Sequence, residues 1–149
     1  MGGLDTLDLD TKLRTDNFLG AYAFDELPVN PGHDFSVIVN TQPSSEPGEH
    51  WLPIIFKNGI FHFIDSYGRS PMNLLFSTEF RNKIKDYFKG YKYKYNPRMI
   101  QDIFSNACGY YSIYFIHEME YNSMKAALDI FGKNFKKNDA LVKEIVNLF

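Results

Sequence analysis

The sequence predicts a chain of strands and helices, α+β in class, forming one domain over residues 1–149. Three observations carry this. β-Branched and aromatic runs flank an Asn58-Gly59 turn in the first half. Helical spacing of apolar residues recurs over Asn73 to Phe88 and again between Ser123 and Leu148. Tyr110 to Met119 is apolar almost all the way round, which marks a helix buried on every side.

The elements follow in order. Leu4, Leu7 and Leu13 suit a first helix. Asn17 to Tyr22 reads as a loop into the core, and Pro28 to Gly32 as a second loop. Phe35 to Val39 is a buried strand. Thr41 to Glu49 has surface-loop composition. His50 to Phe56 is the next strand, and its Pro53 predicts an edge or a bulge. Ile60 to Asp65 returns after the turn, apolar on both faces, so the hairpin is central or covered. Asn73 to Phe88 is helical and Gly90 stops it. Tyr91 to Tyr95 alternates as a half-exposed strand, broken by Asn96-Pro97. Met99 to Ile103 is a short strand leading to a cysteine loop. Ser123 caps a helix to Phe131, stopped by Gly132, and Asn138 or Asp139 caps a last helix through Leu148.

The length suits one core and is short for two. Hydrophobic residues at 44% against 23% charged place the chain among globular proteins rather than disordered ones. Its single cysteine, Cys108, excludes an internal disulfide and a multi-cysteine zinc site, and suits a reducing compartment. No metal and no obligatory cofactor are expected. No apolar run reaches bilayer length and no secretory leader pattern opens the chain, so a membrane is not an expected partner. Met1-Gly2 with Thr6 does satisfy the short N-myristoylation pattern.

Charge is unevenly spread. Met1 to Glu49 is mainly acidic, including Asp16, whereas Arg81 to Arg98 carries Arg81, Lys83, Lys85, Lys89, Lys92, Lys94 and Arg98 against Asp86. That asymmetry predicts one electropositive face. With Tyr87, Tyr91, Tyr93 and Tyr95 interleaved, Lys83, Lys85, Lys89, Lys92 and Lys94 are candidate DNA contacts. The competing reading is a solvated helix face beside an edge strand protected by lysines.

Cys108 lies among Asn106, Ala107 and Gly109 at the start of the buried helix. Helix N-termini favour anions, and a thiolate is one. A lone cysteine is as readily an inert core residue, so the question is whether the chain supplies a base. Of four histidines, His33 is in a loop, His62 is mid-strand, and His117 is about two and a half turns beyond Cys108. His50 stands at a strand start beside Trp51, where a scaffold presents chemistry. Around the Asn58-Gly59 turn, opposed residues sum to about 117, which puts His50 near Tyr67 and within about two residues of Asp65. Asp65 is therefore the candidate orienter. Gln101, seven residues before Cys108, is a candidate oxyanion donor.

This order, with Phe18 to Tyr22, Val37 to Thr41, His50-Trp51, Ile64 to Gly68 and Ser105 to Gly109, resembles the adenovirus maturation protease family. That family shares a clan with the ubiquitin-like-modifier proteases. The resemblance implies an α+β fold in which a mixed sheet packs against the cysteine helix. It implies His50 as base, Asp65 as orienter, Cys108 as nucleophile, and Gln101 with the Cys108 N–H as oxyanion hole. It further implies a monomeric cysteine endopeptidase that cuts viral capsid and core precursors at Gly-Gly type sites, in the virion and at the host-cell assembly site. Virophages and virus-like DNA transposons carry related enzymes. DNA and an activating peptide are cofactors in the adenoviral case, and with one cysteine here such a peptide would be held non-covalently. Two other readings fit the same residues: an isopeptidase for ubiquitin-like modifiers, and an inactive basic nucleic-acid-binding module on the same fold.

Overall fold

The β-hairpin around Asn58-Gly59 forms the middle of the protein. A computed structural model describes residues 3–13 and 17–149. Gly2, the lipidation candidate, and Asp16, one of the acidic residues, lie outside the described residues. Strands β3 (Trp51–Lys57) and β4 (Ile60–Phe63) pair antiparallel, with Ile54 opposite Phe63 and Lys57 opposite Ile60. Asn58 and Gly59 both take positive φ, as a two-residue turn of this type requires. Pairs therefore sum to 117, the expected register.

β2 (Phe35–Asn40) runs antiparallel to β3, and β1 (Phe18–Ala23) runs parallel to β2. β5 (Lys92–Tyr95) lies parallel to β4, giving a mixed five-stranded sheet in the order β1-β2-β3-β4-β5. The protein is α+β. Phe18 to Ala23 is thus a strand and not the expected loop; its pairing with β2 overrides the weak local signal of Gly20. Pro53 is not at an edge either. It stands inside the central strand opposite Ile38, where its carbonyl accepts from Ile64 N–H at 3.2 Å just as β4 ends. The N–H that proline lacks falls where the ladder has run out.

Helices cover both faces. Helix α2 (Thr78–Phe88), capped by Ser77, puts Phe80, Ile84 and Phe88 on a core made by Val37, Val39, Leu52, Ile54, Phe61 and Phe63. Leu74 and Leu75, expected on its apolar side, precede the helix and are more than three-quarters exposed. The opposite face carries α3 (Cys108–Glu118), packed with Ile38, Ile55, Ile64 and the helices α1 (Thr6–Lys12), α4 (Met124–Leu128) and α5 (Phe135–Asn147). Tyr111 to Ile116 are all buried, as the apolar run predicts. Helix α4 starts after the predicted Ser123 cap but ends before Phe131, and α5 is capped by Asn134, four residues before Asn138. Asn138 and Asp139 are instead buried in α5: Asn138 Nδ2 donates to the Ile100 carbonyl at 3.0 Å, and Asp139 accepts from Tyr111. Residues 99–103 form a loop, not a strand.

Gly68 holds the turn after β4 against that loop. Its φ is +76°, its N–H donates to the Asp65 carbonyl at 2.7 Å, and a Cβ there would lie 2.7 Å from Met99 N and 2.8 Å from Arg98 C. Gly32 has a similar φ of +84° but open space around it. Gly32→Ala should cost only the left-handed penalty, about 1–2 kcal/mol, whereas Gly68→Ala should cost at least ~1 kcal/mol more because backbone must move. Urea unfolding of the two variants checks the difference; equal losses would refute the close approach.

Candidate active site

Asp65 has no exposed surface. A carboxylate persists there only if its oxygens find partners. Oδ1 accepts from His50 Nε2 at 2.8 Å and from the Tyr67 N–H at 3.1 Å, and Oδ2 accepts from Arg69 Nε. Its backbone is clamped by Asn96, which accepts from Asp65 N–H at 2.9 Å and donates to the Asp65 carbonyl at 2.6 Å. Burial by itself would raise the Asp65 pKa. The bonds and charges of His50 and Arg69 outweigh it and hold the carboxyl below its ordinary range.

His50 sits one residue ahead of β3, buried, with its carbonyl accepting from Thr41 N–H at 2.9 Å. The preceding loop folds back on Asn40, whose Oδ1 accepts from Gln42 N–H and Glu49 N–H. The imidazole stacks on Tyr67, centroids 4.8 Å apart and planes 22° apart, which is the pair the register of 117 predicts. With Nε2 given to Asp65, Nδ1 is left over, and the ring and the Cys108 side chain interact electrostatically. Burial pushes the His50 pKa down, but bonds and charges of Asp65 and Cys108 prevail and lift it to about 9.

Cys108 opens α3 and is partly exposed in a cleft of about 1680 Å³. Desolvation favours the neutral thiol. The His50 bond and charge, and the backbone N–H groups of Trp51 and Gly109, more than offset it, so its pKa is lowered from the ordinary 9.0. The arrangement favours a thiolate–imidazolium pair over the neutral one, with a buried carboxylate behind it. Its own N–H belongs to the first helical turn, which has no helical acceptor, so it is available to an oxyanion.

The residues thus define a Cys-His-Asp constellation of the kind that performs nucleophilic acyl transfer. Neither a protein-family model nor a curated protein matches the chain. Among solved structures the chain is similar to the central domain of the uncharacterized Lpg1148 protein from Legionella pneumophila, with a TM-score of 0.53, 11% identity and 98% of each chain covered. At that identity the likeness is one of fold.

The fourth sequence-derived residue, Gln101, is fully buried beside the cysteine loop. Its Oε1 accepts from Ser66 Oγ, and its Nε2 donates to the Ser105 carbonyl at 3.2 Å and to Ser105 Oγ at 3.1 Å. The amide nitrogen is therefore turned to Ser105 here, and to serve an oxyanion Gln101 must turn away from it. Of the four histidines, His50 alone lines the cleft. His117 stacks on Phe149 at 4.0 Å, and His62 is part-buried on β4 with its pKa lowered by burial and by Lys94 and Lys57.

The five candidate lysines do not share one side of the sheet. Lys83 and Lys85 are exposed on α2, and Lys89 is exposed at its C-cap. Lys92 and Lys94 share their register with Ile60 and His62, on the sheet side opposite α2, whereas Tyr93 and Tyr95 pair with Phe61 and Phe63 on the α2 side. Side-chain alternation along β5 splits the stretch. Tyr91 and Tyr93 moreover pack on Phe56, Phe61 and Phe88. Among the described residues, no group of three or more His, Cys, Asp or Glu side chains is placed to hold a metal, and no helix is long and apolar enough to cross a membrane. Reasoning from sequence missed Arg69, Asn96, Ser66 and Ser105. Arg69 stands four residues after Asp65 in a turn, and no periodic signal there says which carboxylate it meets.

The signs of the shifts set the pH behaviour. A depressed thiol stays ionised below its ordinary value and is protonated as pH falls through the folded one. His50 stays charged through neutrality and loses its proton near pH 9. The stabilising contribution of His50 is complete below its ordinary 6.5 and lost as pH rises through about 9; that of Asp65 is complete above 3.8 and lost as pH falls through its lowered value. Iodoacetamide should therefore alkylate Cys108 with a plateau beginning well below pH 9, both limbs belonging to the coupled pair. In His50→Ala the rate should rise only around the ordinary thiol range. A wild-type profile with one limb near pH 9 would overturn the ion pair.

Proposed function

We propose that this protein is a cysteine endopeptidase of the adenovirus maturation protease type, cutting viral capsid and core precursors at Gly-Gly type sites in the virion and at the assembly site. The observation that carries the reading is the line Asp65–His50–Cys108: a buried carboxylate on one imidazole nitrogen, and a thiol of lowered pKa on the ring's other side. The resemblance supplies the substrate class.

In this reading the Cys108 sulfur attacks the scissile carbonyl carbon, and the Cys108 N–H stabilises the oxyanion, with Gln101 Nε2 joining if it leaves Ser105. His50 passes its proton to the leaving amine as the C–N bond breaks. Water then attacks the thioester, giving a proton to His50, and the acid product leaves with the thiolate restored. Asp65 keeps the ring's orientation throughout. The proposal treats DNA as dispensable, since the candidate lysines are divided between two sides of the sheet. It keeps any activating peptide non-covalent, since Cys108 is the only cysteine and is the nucleophile.

Cys108→Ala should abolish cleavage of Gly-Gly-containing precursors, a loss of at least about 10⁴-fold, while circular dichroism and urea unfolding stay near wild type. Co-expression with the precursor and mass spectrometry of new N-termini reads the outcome. Retained cleavage by the alanine variant would end the assignment. Cleavage of intact modifier conjugates but not of Gly-Gly peptides would move it to the isopeptidase reading.

A further inference from the structure

The Asp65 carboxylate has two oxygens, and the triad uses one of them. Arg69 takes the other. Its Nε donates to Oδ2, and its guanidinium carbon lies 4.3 Å from the Phe76 ring centroid and 5.3 Å from that of Tyr67. Phe76 is buried and packs edge-on to Phe63 at 6.0 Å and against Phe80 at 4.8 Å, so the arginine is braced on the α2-side core. Tyr67 in turn stacks on His50. The guanidinium and the imidazole therefore share one carboxylate and one tyrosine ring. The Arg69 side chain retains 21% exposure and lines the same cleft as Cys108.

Resting on the cysteine-peptidase reading, we propose that Arg69 is a positioning residue of the site, which keeps Asp65 ionised and its Oδ1 aimed at His50. A fully buried carboxylate bonded to one imidazole has an alternative: it can take the shared proton and leave both groups neutral. A guanidinium does not give up its proton in proteins, so its charge beside Oδ2 opposes that transfer at every working pH. Its planar bond to Oδ2 also opposes rotation of the carboxylate. Among the described residues the groups facing Asp65 are few. His50 comes from the start of β3, Tyr67 and Arg69 from its own turn, Cys108 from α3 through His50, and neutral Asn96 from the end of β5. Asp139 of α5 acts on Tyr67 at longer range.

The test is the pH profile of Cys108 alkylation by iodoacetamide in wild type, Arg69→Met and Arg69→Lys, each with a urea unfolding curve. Without the cation, Asp65 protonates at higher pH and the pair collapses sooner. The acid limb of Arg69→Met should move up by about one pH unit, an alkylation rate about tenfold lower on that limb. Arg69→Lys keeps charge without the planar bond and should fall between the two. A merely structural arginine would lower stability and leave the limb where it was. A folded Arg69→Met whose limb coincides with wild type overturns the proposal; if that variant does not fold, coincidence of Arg69→Lys with wild type does so. A wild type with no limb below the ordinary thiol range removes the peptidase reading and the proposal with it.

Discussion

The structure depends on keeping one carboxylate charged without water. An ion moved into the interior and left unpaired would cost several kcal/mol after relaxation. Asp65 avoids this through contacts from separate parts of the chain: His50 ahead of β3, Arg69 from its own turn, and Asn96 from beyond β5 holding its backbone. Each donor constrains an element. The Asn96 clamp fixes where β5 must end. The arginine needs Phe76 beneath it, which ties the residues just before α2 to the same point. A sheet of mixed pairing suits this convergence, because the parallel β4–β5 crossover through α2 returns the chain to the end of β4 where Asp65 begins its turn.

The cysteine half of the site is held by a different means. Ile100 and Gln101 both donate their N–H to the Ser66 carbonyl, at 2.8 and 3.2 Å, and Ser66 Oγ bonds Gln101. Arg98 donates to the carbonyls of Leu128 and Phe131, which anchors the strand's exit under α4. Tyr111 reaches the Ile100 carbonyl and Asp139, so α5 props the loop from behind. Most of these bonds end on a backbone carbonyl, and a typical one is worth about 1 kcal/mol net. They are numerous because the loop has no sheet of its own. Gln101 lies at their centre, and that is why its amide points at Ser105 and not at the cleft in the resting protein.

What could be read from sequence divides along the range of the interactions. The Asn58-Gly59 turn sets a register, and the register alone carries His50 to Tyr67 and close to Asp65. The apolar run after Gly109 identifies a buried helix whatever packs on it. Phe18 to Ala23 gave no comparable signal, because a strand next to a parallel partner is specified by that partner, seventeen residues away at the Ala21–Ile38 pair. Leu74 and Leu75 matched the helical period, yet Ser77 caps the helix after them, so the local hydrogen bond outranked the period. The lysines of the 81–98 stretch were counted along the chain, whereas a strand distributes consecutive residues to opposite faces. Arg69 and Asn96 are polar residues in turns, and only the folded chain assigns their partners.

The two halves of the site also differ in their access to water, and this difference bears on the chemistry. His50 and Asp65 are buried while the Cys108 side chain is partly exposed. One wall of the cleft is the N-terminal segment: Trp51 Nε1 donates to the Leu4 carbonyl at 3.1 Å, and a side chain at Gly109 would meet Leu4 and Leu9 at 3.1 and 3.3 Å. Glycine after the cysteine thus leaves this segment room to close over the start of α3, where a Cβ would press on the Leu4 and Leu9 side chains. Burial by itself opposes the charged forms of ring and sulfur; their mutual attraction, stronger at low dielectric, is what outweighs it and lowers the thiol pKa. The sulfur itself must stay reachable. A fold that buries His50 and Asp65 but leaves Cys108 at the edge of a cleft meets both demands, and a helix N-terminus is the place where it can do so, since its N–H groups favour an anion from the protein side.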